Sequence, residues 1–143
     1  MIILYPQQNN KLTILTPTGE LPIEIVAKKD IPYGVEYKIV ESVDIDNEYF
    51  NAYEFDAKLG AKINIPKAKE IHLNKFRQAR TPLLEKLDLE YMRADEAGNL
   101  ELKKEIASKK QALRDVTEID LPNTLEEIKA TWPEILGQNP FNI

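Results

Sequence analysis

The sequence predicts an α+β protein: a small amino-terminal β-rich module over residues 1–65, then an antiparallel helical hairpin and a short carboxy-terminal helix over residues 66–143. Three observations carry this. Apolar residues between positions 67 and 95 recur at helical spacing, the segment Ala97-Gly98-Asn99 supplies a turn before a second helical pattern, and the first 65 residues hold short β-prone runs separated by turn residues.

In chain order, residues 1–5 and 12–16 are apolar and β-prone, and the polar stretch from Gln7 to Asn10 divides them. This is the pattern of a hairpin or of two adjacent strands. Thr18-Gly19 marks a turn. Residues 22–29 have the β-branched content of a strand and the leading proline of a helix, and the helix is preferred. Pro32-Tyr33-Gly34 is a turn signal, and residues 35–40 form the best strand pattern in the chain. Residues 50–55 and 61–65 are two further strand candidates, with the seam to the helical part within residues 58–66.

On a helix of 100° per residue, Leu73, Phe76, Leu83, Leu84, Leu87, Tyr91 and Ala94 fall on one stripe about 100° wide, broken by Arg80. Pro66 suits the first turn, and Thr81-Pro82 predicts a kink or a fresh helix start. The second helix, residues 100–114, turns Leu102, Ile106 and Leu113 to one side. Folding it back brings Leu102 near Ala94, Ile106 near Tyr91, Leu113 near Leu84 and Lys109 near Asp88. Ile71, Leu73 and Phe76 then have no partner within the hairpin, so another element must cover them or they are left for a second chain. Residues 117–122 connect to a capping box, Thr124 with Glu127, that opens a short helix carrying Leu125 and Ile128, closed near Trp132 by Pro133. Residues 137–143 read as a loose end unless a partner orders them.

With 43% hydrophobic and 30% charged residues in 143, the composition is that of a soluble folded chain. The opening MIILYP lacks the basic start and apolar length of a signal peptide, and no run approaches the ~20 apolar residues of a membrane span. A membrane is not an expected partner. With no cysteine there is neither a disulfide nor a thiolate nucleophile. His72 is the only histidine, and with no nucleophile beside it the expectation is a satisfied or solvated side chain rather than a general base. Asp44, Asp46 and Glu48 alternate, so a strand would present all three on one side to Mg²⁺ or Ca²⁺, but the glycine and distal glutamate of a calcium loop are missing. No phosphate-binding glycine loop, G-x-S-x-G or H-E-x-x-H occurs. The expectation is a protein without cofactor or metal that is not an enzyme.

The net charge of −5 is unevenly placed. Residues 41–56 carry six acids and no base, whereas residues 67–86 carry six bases and two acids. Lys75, Arg77 and Arg80 point in several directions around a helix axis, so nucleic acid is not an expected partner. Arg80 lies inside the apolar stripe, where it pairs with a buried acid of its own chain, the preferred reading, or with a carboxylate of another chain. Trp132, the only tryptophan, is either an anchor that docks the tail or a contact for another protein.

Residues 70–117, with IHLNKFRQARTPLLEKLDLEYMRADEAGN followed by KKQALRDVT, resemble the helical segment of bacteriophage tail assembly chaperones and tail-fibre assembly proteins. The signals are the pentapeptide from Gln111 to Asp115, the R-x-x-R-x-P-x-L pattern of Arg77, Arg80, Pro82 and Leu84, and the Trp132-Pro133 pair. The closing ATWPEIL is similar to the end of such proteins, and TPTGELPIEIVAKKDIPYGVEYKIV resembles amino-terminal segments of small phage proteins. The resemblance implies a phage-encoded accessory protein. It would bind a tail or tail-fibre polypeptide in the cytoplasm of the infected bacterium and assist its folding or attachment, without cofactor. The amino-terminal region is longer and more β-rich than the helical pattern of that family. The alternative is therefore a structural adaptor or tail component retained in the virion, a homo-oligomer that self-associates through the hairpin. Candidate partner-binding residues are Ile71, Leu73, Phe76, Arg77 and Arg80 on the first helix, with Trp132 and Phe141 in the tail.

Overall fold

β1 (Ile2–Pro6) lies between β2 (Leu12–Leu15) and β3 (Lys38–Val40), antiparallel to both. The computed structural model describes residues 1–141, so the last two residues of the expected loose end lie outside the described residues. The chain has α+β architecture and divides into two units, Met1–Ala68 and Lys69–Ile143.

In the first unit, strand alternation sends successive side chains of β1 to opposite faces. Ile3 pairs with Leu15 and Ile39, and these residues pack with Val26, Ala27 and Ile31 of α1 (Ile23–Asp30) and the residue that follows it. Leu4 points the other way, towards a second hairpin of β4 (Tyr53–Asp56) and β5 (Gly60–Ile63). A Cβ added to Gly60, whose φ is +87°, would stand 2.9 Å from Leu4 Cδ1, so both conformation and space demand glycine there. The Asp56 carboxylate accepts from the backbone N–H groups of Lys58 and Leu59, each at 2.8 Å, and closes the hairpin. Those two bonds hold its pKa below the usual carboxylate value. Asn10 donates from Nδ2 to the carbonyl oxygen of Phe55 at 3.0 Å, joining the two hairpins. Asn9 and Asn10 sit at φ 61° and 59°, a conformation asparagine tolerates better than most residues.

Three strand expectations in this unit are corrected. Only Lys38–Val40 of residues 35–40 is a strand, because Val35 donates to the Pro32 carbonyl and is held in the turn that precedes it. Residues 50–52 belong to a short 3₁₀ segment, Asn47–Ala52, and the strand begins at Tyr53. Asp44, Asp46 and Glu48 do not alternate along a strand, since Asp46 caps that segment by accepting from the Glu48 N–H at 3.1 Å. Tyr49 is buried within the segment, and its phenol is pushed up to about 12, first by burial and then by Glu48 and Asp46.

α2 (Ile65–Glu96) supplies the first helix of the hairpin, with the Asn64 side chain accepting from the Lys67 N–H at its start. It runs through Pro82 as one helix, so of the kink or fresh start expected there the fresh start does not occur. Proline removes one hydrogen bond, to the carbonyl of Gln78. Gln78 and Pro82 are both exposed, so water can serve that carbonyl, and the Thr81 hydroxyl donates to the Arg77 carbonyl at 2.8 Å in the same turn. At the other end Gly98, at φ 69°, reverses the chain. Asn99 donates its N–H to the Ala94 carbonyl, and its side chain caps α3 (Leu100–Arg114) by accepting from Leu102.

The two helices meet along an ionic seam. Lys110 pairs with Asp88 at 2.6 Å and Lys103 with Asp95 at 2.7 Å, and both ammonium groups stand over the Tyr91 ring, at 5.3 and 5.4 Å. Lys110 thus holds the place expected of Lys109. One residue is 100° of helix rotation, which turns Lys109 to the opposite side of the seam, beside Lys86, Leu87 and Glu90. The Thr124 hydroxyl accepts from the Glu127 N–H at 3.3 Å, capping α4 (Leu125–Ala130) as its sequence predicts.

Candidate protein-binding surfaces

Two surfaces of the second unit have the character of binding sites. The first begins on α2, where His72 and Phe76 are one turn apart and share a face. The chain beyond α4 folds over them. Trp132 meets the Phe76 ring edge-on at 5.3 Å, His72 meets Phe76 at 4.9 Å and Trp132 at 6.4 Å, and Phe141 lies on the far side of Trp132 at 6.2 Å. The Lys75 ammonium stands over Phe141 at 5.0 Å. Trp132 Nε1 donates to the Gly137 carbonyl at 2.9 Å, which closes the tail into a loop around its own indole.

His72 is 1% exposed, and its Nε2–H donates to the Thr131 carbonyl at 2.7 Å. Burial pushes its pKa below the ordinary value of 6.5; the Thr131 bond opposes this and the charge of Lys75 adds to it. A neutral imidazole that gives its Nε2–H to a backbone carbonyl is a tie between helix and tail rather than a base aimed at a substrate.

Phe76 is 0% exposed, so its cover comes from the carboxy-terminal segment. Ile71, Leu73, Trp132 and Phe141 are half-buried and keep part of their apolar surface in solvent. Arg77, also half-buried, pairs with Glu70 at 2.7 Å and donates to Asn74. Arg80 is held inside its own chain, but by carbonyls rather than by the acid that was expected. Its guanidinium donates to the Arg114 carbonyl at 2.9 Å and to that of Leu113 at 3.4 Å, at the negative end of α3.

The second surface is a groove along the hairpin face opposite the ionic seam. Its wider part, about 490 Å³, has Leu83, Leu87 and Leu113 in its lining with Ile135 at one end. Glu90 joins it to a narrower part of about 270 Å³ beside Ala94, Leu102 and Ile106. Lys86, Lys109 and Arg93 add charge to the lining. The sequence pattern marks these leucines as the buried face of the hairpin. Ala94, Ile106 and Leu113 are already buried between the helices and form its floor, whereas Leu83, Leu87 and Leu102 keep part of their surface open, because a lone helix pair covers each helix along one line only.

Among the described residues no group of three or more His, Asp or Glu side chains could hold a metal ion, and no helix is long and apolar enough to cross a membrane. No protein-family model, curated protein or solved structure matches this chain.

Proposed function

We propose that this chain is a phage-encoded accessory protein that binds a tail or tail-fibre polypeptide in the cytoplasm of the infected bacterium and assists its folding or attachment, acting through protein contacts and not as an enzyme. The observation that carries the reading is the pair of half-buried rings, Trp132 and Phe141, that pack over Phe76 and keep part of their surface in solvent. Large rings that keep part of their surface in water are the usual anchors of protein recognition. The likeness of residues 70–117 and of the closing ATWPEIL to tail-fibre assembly proteins covers the same elements.

Co-expression with a phage tail-fibre polypeptide, from the neighbouring reading frame if that frame encodes one, tests the proposal. Soluble fibre rises in the presence of the wild-type chain and returns towards the baseline with Trp132→Ala, provided circular dichroism shows that the variant remains helical. Fibre solubility indifferent to the wild-type chain would overturn the proposal.

A further inference from the structure

In the first unit a groove of about 740 Å³ opens beside the carboxy-terminal end of α1, more than one side chain fills and within the ~300–1,000 Å³ of ligand clefts. Its apolar lining is Tyr5 and Pro6 at the end of β1, with Pro32 and Val35 after α1. The backbone around it is held in place. The Gln7 N–H donates to the Lys11 carbonyl at 2.8 Å, the Ile31 N–H to the Ala27 carbonyl at 3.2 Å and the Val35 N–H to the Pro32 carbonyl at 3.1 Å. That last bond and Gly34, at φ 84°, close a turn with Tyr33 at its tip, a wholly exposed ring between two residues of the lining.

We propose that this groove seats an extended, arginine-bearing segment of another polypeptide. Charge selects the arginine. The lining holds the carboxylates of Asp30 and Glu36 and no Lys, Arg or His. Asp30 ends α1, so the negative end of that helix adds to the same wall. Lys29 beside it lines a different cavity, with Leu15 and Leu21. Among the described residues neither Asp30 nor Glu36 forms an ion pair or a side-chain hydrogen bond, so both charges are left for a partner. A guanidinium suits the groove better than an ammonium, because its plane stacks on tyrosine and its fork takes a carboxylate through two bonds.

The amides select an extended chain. Gln7 and Gln8 also line the groove, and among the described residues their exposed side chains form no hydrogen bond. Each carboxamide both donates and accepts, which matches the free N–H and C=O groups of an extended backbone. A helix keeps those groups bonded to itself and would offer the amides nothing. A free polyamine matches the charge but leaves Tyr5, Pro6, Pro32 and Val35 without apolar contact. Apolar side chains flanking the arginine cover them, as proline-rich segments do in grooves lined by rings. The inference does not rest on the tail-fibre reading, whose proposed contact lies at Trp132 and Phe141 in the second unit.

Fluorescence anisotropy of a labelled Pro-Leu-Pro-Arg-Pro-Leu-Pro peptide titrated with the full chain is the test. Binding is expected, and it weakens as salt is raised. Replacing the peptide's arginine by citrulline, which keeps the shape and loses the charge, weakens binding by about tenfold or more, and the double variant Asp30→Asn with Glu36→Gln does the same. Both residues are exposed, so that variant keeps the circular dichroism and melting temperature of the wild type. Glu41→Gln with Asp44→Asn, exposed acids outside the lining, leaves binding unchanged. A wild-type chain that leaves the anisotropy flat up to high micromolar concentration overturns the proposal. So does a citrulline peptide or a double variant that binds as tightly, or spermidine that displaces the peptide at the peptide's own concentration.

Discussion

Arg80 Nη1 donates to the carbonyl oxygen of Arg114 at 2.9 Å, so a side chain of the first hairpin helix is tied to the backbone at the end of the second. The positive guanidinium also meets the negative end of the α3 dipole. Arg80→Ala is expected to cost about 1–2 kcal/mol, read as a lower urea midpoint with unchanged slope. Arg80→Lys recovers part of it, because both bonds come from the one nitrogen Nη1 and an ammonium also carries more than one donor.

Phe76 ties the tail to the helix. Phe76→Ala removes a fully buried ring from between His72 and Trp132 and is expected to cost about 3–5 kcal/mol. Trp132 is the sole tryptophan, so its emission reports on this cluster directly. A red shift in the native state of the variant shows the indole gaining water, and emission and stability both like wild type would remove Phe76 from the core.

Gly60 and Gly98 separate two causes of glycine requirement. Both have positive φ, but a Cβ on Gly98 meets nothing within 4 Å whereas one on Gly60 meets the fully buried Leu4. Gly98→Ala is expected to cost about 1 kcal/mol, the conformational part alone, and Gly60→Ala about 2 kcal/mol or more. Equal losses in melting temperature would mean that Leu4 yields freely.

Stability should depend on pH through His72. Its folded pKa lies below the ordinary 6.5 because burial disfavours the charged ring, so the unfolded chain binds the proton more readily. The contribution of neutral His72 is therefore fully present above 6.5 and is lost as pH falls from there towards the folded value. Thermal melts at pH 7 and pH 5 should show a smaller pH-dependent loss for His72→Gln than for wild type. An identical loss in both would place the titrating group elsewhere.

The helical hairpin is legible in the sequence because its apolar period persists over many turns and Gly98 stands where the chain must reverse. α1 is legible through Pro22, and the capping box through Thr124 and Glu127. Lys109 and Lys110 show the limit: pairing across a hairpin depends on the rotation set by the turn, and a one-residue difference moves a side chain to the opposite face. The cover over Phe76 is less legible still, since it joins positions 76 and 132 through rings that follow no period. The acids at 44–48 mislead for a local reason, because an aspartate that caps a turn reads in sequence like one on a strand.

Binding of a tail-fibre polypeptide through the aromatic tail is the central claim, and amide hydrogen exchange of the full chain with and without that polypeptide tests it most directly. Added protection should concentrate in residues 71–77 and 131–136, which frame the Trp132 cluster. Protection unchanged throughout the chain, or gained only within residues 1–68, would contradict the account.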